Sequence, residues 1–157
     1  MRYVKCPENF YPGFNEFSLF MAGGISNTSD WQSIFRSLLI AEASLVLINP
    51  RRDKFDITDP EAPDIQIEWE HLHLERAQGI SFWFSPETLC PITLFELGKV
   101  AAGTKKPIFV GAHKQYKRRL DVVKQLTYIR PEVKVVHNLV DLSQQVKDYL
   151  KDNSNGN

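Results

Sequence analysis

Hydrophobic residues fall in short blocks along this chain, and two spacings alternate from block to block. Compact apolar runs at 17–22, 44–49, 79–85, 106–111 and 132–137 predict five strands. Between them, apolar residues recur every three or four positions, as Ile34, Leu38 and Ala41 do. That period predicts helices over 30–43, 65–78, 92–103 and 116–128. Ser29 or Asp30 is the expected cap of the first helix. Asp141 is the expected cap of a last one, with Gln144 three residues on as in a capping box. Residues 51–64, rich in Asp and Pro, read as an irregular loop. Alternating strands and helices predict a parallel sheet covered on both faces. For one domain of this length the expected fold is α/β, a flavodoxin-like three-layer sandwich with a five-stranded parallel sheet in the order 2-1-3-4-5. Residues 1–16 form an N-terminal extension, 17–150 the domain and 151–157 a flexible polar tail.

Charge and composition narrow the function. Nineteen basic side chains balance nineteen acidic ones, with no basic stripe, so no nucleic-acid partner is expected. No apolar run approaches the ~20 residues of a membrane helix, and the amino end lacks an apolar signal region. No membrane partner is expected, and the expected location is cytoplasmic. Cys6 and Cys90 are isolated and read as reduced thiols.

In this topology the loops after the first four strands meet at the carboxyl edge of the sheet, where open α/β sheets bind ligands. They bring Gly23, Gly24, Ser26 and Asn27 together with Asn49, Arg51, Arg52 and Asp53, residues 85–91 and residues 111–116. Gly23 and Gly24 permit a close backbone approach by a ligand, or simply a tight strand-to-helix turn. The loop is neither GxGxxG nor a P-loop. Trp31, Trp83 and Phe84 are flat enough to stack on a base. Trp83 and Phe84 point to opposite faces, however, and core packing is the better reading of each. His71 and His73 project about 200° apart on a helix and do not chelate one ion, so no metal is expected. Glu96 opens the helix after the third strand, at the margin of its apolar face. Pattern alone pairs it with Lys99, for roughly a few tenths of a kcal/mol.

Several stretches together carry a family resemblance. They are Phe20-Met-Ala-Gly-Gly-Ile-Ser26, Asp30-Trp31-Gln32, Leu47-Ile-Asn-Pro50-Arg51, Ile67-Glu-Trp-Glu-His71, the run from Phe82 through Glu96-Leu-Gly98, and Val110 to Arg119. The chain resembles the nucleoside 2-deoxyribosyltransferase-like family from about residue 18 to 126. The resemblance implies a flavodoxin-like fold and exchange of nucleobases on 2-deoxyribose through a covalent glycosyl-enzyme. It implies Glu96 as nucleophile, Glu70 as the acid that exchanges a proton with the base, and His71 in reserve. The implied substrate pocket comprises Met21, Gly23, Gly24, Asp30, Trp31, Asn49, Arg51, Phe84 and Glu87. The implied partners are a nucleoside and a free nucleobase, in a homo-oligomer (dimer or hexamer), with no cofactor. The chain departs from the family pattern in two places. Ala77-Gln78 stands where the helix often ends in Ala-Asp, and Cys90 stands in the loop where better-known members carry an acid, Glu87 being the nearest carboxylate. A nucleoside or nucleotide N-glycosidase of the same fold and a non-catalytic nucleotide-binding module are the alternatives.

Overall fold

The computed structural model describes residues 1–54 and 58–154. Among them six strands and five helices alternate: β1 (Arg2–Lys5), β2 (Phe17–Gly23), α1 (Trp31–Leu38), β3 (Leu45–Asn49), α2 (Ala62–Arg76), β4 (Gly79–Phe84), α3 (Pro91–Gly103), β5 (Ile108–Ala112), α4 (Arg119–Ile129), β6 (Val135–Val136) and α5 (Leu139–Ser154). The sheet is parallel throughout, in the order β1-β3-β2-β4-β5-β6. The five expected strands thus stand in the expected order, and the extension adds a sixth beside β3, with Arg2 opposite Val46 and Lys5 opposite Asn49.

Strand parity sorts the core into two layers. Phe20, Ala22, Val46, Ile48, Ile80, Phe82 and Phe84 face α2, α3 and α4. Leu19, Met21, Leu45, Leu47 and Trp83 face α1 and α5, where they meet Trp31, Phe35, Leu142 and Val146. Each fully buried Leu, Ile or Phe contributes about 1.5–3 kcal/mol through burial alone, so these two layers hold the domain together.

Several boundaries differ from the expectation, each for a local reason. Asp30 caps α1 as expected, accepting from the Ser33 amide at 3.2 Å. The helix nevertheless ends at Leu38. The Leu39 amide bonds Arg36 O, and three-residue turns then bury Leu39 and carry the Ser44 carbonyl to the Phe17 amide at 2.9 Å. α2 starts three residues early, because Pro63 is tolerated in a first turn that needs no donor. α5 is capped by Asn138, not Asp141: Asn138 Oδ1 accepts from the Asp141 amide and its Nδ2 donates to Asp141 Oδ2, both at 2.8 Å. The same helix continues through residues 151–154 of the expected tail; residues 155–157 lie outside those described. β6 shrinks to two residues, and Lys134 O accepts from Gln145 Nε2 instead of a strand partner.

The segment after β1 is fastened onto α2 by two side chains. Trp69 Nε1 donates to Glu8 O at 2.8 Å, and the Phe10 amide donates to His73 Nε2 at 3.0 Å. His73 Nδ1 lies 2.7 Å from Trp69 O, so the ring is neutral, protonated at Nδ1 and accepting at Nε2. Burial pushes its pKa below the ordinary 6.5; the bond to Trp69 O opposes that, and Arg76 adds to it. A depressed histidine pKa favours the fold fully above pH 6.5, and that stability drains away as the pH falls further. Hydrogen exchange at the Phe10 amide is therefore expected to accelerate, relative to core amides, between pH 7 and 5. His73→Gln is expected to remove that acceleration.

Candidate active site

At the carboxyl edge, on the α2–α3 face, the loops leave an open cavity of about 250 Å³. Gly23, Gly24 and Ile25 form one wall, Thr88 and Cys90 another, and Glu70 of α2 and Glu96 of α3 line it together. They are its two ionisable carboxyls.

The walls follow from local sequence. α3 starts on a sharp corner: Cys90 is left-handed at φ 47°, and Pro91 supplies a fixed φ for the first helical position. A Cβ at Gly24 would lie 2.7 Å from Thr28 Cγ2 and 3.2 Å from Cys90 Sγ. A Cβ at Gly23 would lie 2.5 Å from the Trp31 ring and 2.8 Å from Trp83 O. The two glycines thus serve the protein's own packing and also open the cavity. Ser29 Oγ donates to Glu87 at 2.9 Å, tying the loop after β2 to the loop after β4.

Glu96 is half-buried, and among the described residues none gives it a hydrogen bond or ion pair. The Lys99 partner that pattern suggested is engaged elsewhere: its Nζ lies 2.6 Å from Glu75 of α2. Burial, then the charge of Glu70, raises the Glu96 carboxyl from 4.5 to about 7, against a weaker pull from Lys99. Burial also pushes Glu70 up, while a hydrogen bond from Gln66 and the Arg52 charge pull it back. Burial thus raises both carboxyls, and the Glu70 charge helps keep Glu96 partly protonated near neutrality.

Strand parity also decides which of the remaining expected residues reach the cavity. Gly23 and Gly24 do. Met21 and Trp31 are buried in the layer on the other side of the sheet, and Trp31 Nε1 supports the loop by donating to Gly24 O at 3.0 Å. Phe84 is fully buried against Tyr116 beneath the site. Asn49 is buried on the α1 side, with Nδ2 donating to the Tyr3 hydroxyl at 2.6 Å. Arg51 braces the first loop through Gln32, Thr28 and Ser29 O, with Asp30 3.7 Å away. His71 is exposed and lines no part of the cavity, and the 111–116 loop lies outside it. Phe20, Pro50 and Thr93 also line the cavity and are not in the pocket the resemblance implies; Phe20 shares its face with Ala22 two residues on, the signal that marks it. Burial raises the Cys90 thiol, so it sits in the wall as a thiol and not as a thiolate. Among the described residues no group of three His, Cys, Asp or Glu side chains is placed to hold a metal, and no helix is long and apolar enough to cross a membrane.

Fold and site together define a parallel α/β sandwich that presents two carboxyls in one edge cavity. The family model described as Nucleoside 2-deoxyribosyltransferase like matches residues 16–116, and the chain belongs to that family. The matched stretch contains both carboxyls and bears out the resemblance seen in the sequence. A comparison with curated proteins finds no match.

Proposed function

We propose that the protein transfers 2-deoxyribose between nucleobases through an ester on Glu96, with Glu70 moving the proton. The observation that carries this reading is the facing pair: a carboxyl without an ion partner beside a second carboxyl, in a cavity open to small molecules. As the bond between C1′ and the base nitrogen breaks, its electron pair goes to the base, which takes the Glu70 proton. Positive charge develops at C1′, and the Glu96 carboxylate stabilises and then captures it. The incoming base gives its N–H proton to Glu70 as its nitrogen displaces Glu96, so the configuration at C1′ is retained. Gly23 and Gly24 let the sugar approach the backbone.

Incubation with deoxyadenosine, with and without cytosine, tests the reading. Deoxycytidine formed only with acceptor supports transfer, whereas free adenine and deoxyribose at equal rates in both would make the protein a hydrolase. Ligand binding with neither product would make it a binding module. Glu70→Gln is expected to slow exchange about 10²-fold. The loss should be smaller for donors whose base leaves without protonation; an equal loss for all donors would remove Glu70 from proton transfer.

A further inference from the structure

Glu70 is held by a chain of contacts that begins outside the cavity. Gln66 lies one turn before it on α2. Gln66 Nε2 donates to Glu70 Oε1 at 2.6 Å and to Pro50 O, at the end of β3, at 2.8 Å. Gln66 Oε1 accepts from the Cys6 thiol at 3.2 Å. Cys6 is placed in turn by its amide, which donates to Asn49 O at 3.0 Å, and by Arg52 Nε, 3.2 Å from its sulfur. The amide has one sensible orientation. Turned over, it would aim its oxygen at a carbonyl and a carboxylate, and its two N–H groups would lose both acceptors.

We infer that Gln66 is a positioning residue, which aims the Glu70 carboxyl into the cavity and favours its charged form as the proton leaves, and that Cys6 locks the Gln66 amide in the orientation this requires. The inference rests on the transfer reading for its kinetic consequence. When Glu70 gives its proton to the departing base nitrogen it becomes a carboxylate, while C1′ bonds to Glu96 oxygen. A donor N–H binds a carboxylate more strongly than the neutral acid. The Gln66 bond therefore tightens as the proton leaves, and an interaction that grows along the reaction raises turnover more than it tightens binding. The charged and titratable groups facing Glu70 are Glu96 from α3, Arg52 from the loop after β3 and Cys6 from the end of β1, and Lys99 acts on Glu96.

The test compares wild type with Gln66→Met, which keeps the length of the side chain and removes the amide. Glutamate carboxyl-13C signals are followed against pH, with Glu70→Gln assigning the Glu70 resonance. The Glu70 titration is expected to move to higher pH in Gln66→Met. Turnover is expected to fall roughly tenfold with KM little changed, and both limbs of the pH–rate profile to move upward. A folded Gln66→Met protein with an unmoved Glu70 titration overturns the inference. So does lost activity with an unshifted profile, which is what general loosening would give. Gln66→Asn, whose shorter amide falls short of Glu70, makes the same prediction should the Met variant fail to fold. Cys6→Ala is expected to shift the titration in the same direction by less, and no shift there removes Cys6 from the device. A wild-type protein with no base exchange would sink the transfer reading, and the titration would still decide what Gln66 does to Glu70.

Discussion

Glu96→Ala is expected to lower base exchange at least about a thousandfold, and Glu96→Gln to do the same while making the protein more stable. Removing a nucleophile leaves only the rate that binding and proton transfer supply. The stability gain follows from the same residue. The carboxyl has its ordinary value of 4.5 when the chain is unfolded and about 7 when folded. Below pH 4.5 it is protonated in both states and costs nothing. As the pH rises toward 7 the unfolded chain ionises more readily, and folding is penalised, fully so above 7. For a half-buried group the penalty is about 1–3 kcal/mol, which corresponds to several degrees in Tm for a chain of this size. Glu96→Gln is therefore expected to melt higher than wild type at pH 8, with the gain fading by pH 4. Thermal melts across that range, beside the exchange assay, check both halves. Substantial exchange by Glu96→Ala would remove Glu96 as nucleophile, and a pH-independent Tm difference would show that it does not titrate near neutrality.

Trp31→Ala is expected to cost about 3–5 kcal/mol of stability. The indole is 1% exposed, packs against Phe35 and donates to Gly24 O at 3.0 Å. Its ring also occupies the space a Cβ at Gly23 would need. Removing it leaves a cavity under the first loop and takes one of three donors from Gly24 O, which keeps Thr28 Oγ1 and Gln32 Nε2, so the Tm should fall on the order of ten degrees. Trp31→Phe keeps most of the apolar fill and loses the N–H, for a loss of about 1–2 kcal/mol. Chemical denaturation of both variants measures this. If the ring instead stacked on a substrate base, Trp31→Phe would raise KM and leave stability unchanged.

These residues also show what was legible in the sequence. The order of the five central strands was legible because each is a dense apolar run, and parallel pairing with helical crossovers leaves few arrangements. β1 was not: within it Val4 alone is buried, and Arg2-Tyr3-Val4-Lys5 becomes a strand only through its partner β3. Glu96 and Glu70 were singled out by family resemblance, while pattern alone pointed Glu96 at Lys99. A helical wheel shows neighbours on one helix and not Glu75 on the next, which takes that lysine. Met21, Trp31 and Asn49 sit at the right edge of the sheet but on its other face, and Phe84 on the right face but beneath the floor. Sequence distance to an edge is easily counted; which way the pleat turns a side chain there depends on register.

The contact between Gly24 and Cys90 sets the gauge of the opening. The loops after β2 and β4 touch with one partner reduced to hydrogen and the other to a single sulfur, so neither side has slack to give up. Enlarging either position must pry the loops apart or fill the slot, and shrinking Cys90 to Ala widens it without touching a carboxyl. Positions 24 and 90 are therefore where substitution would resize the cavity without altering either of its carboxyls.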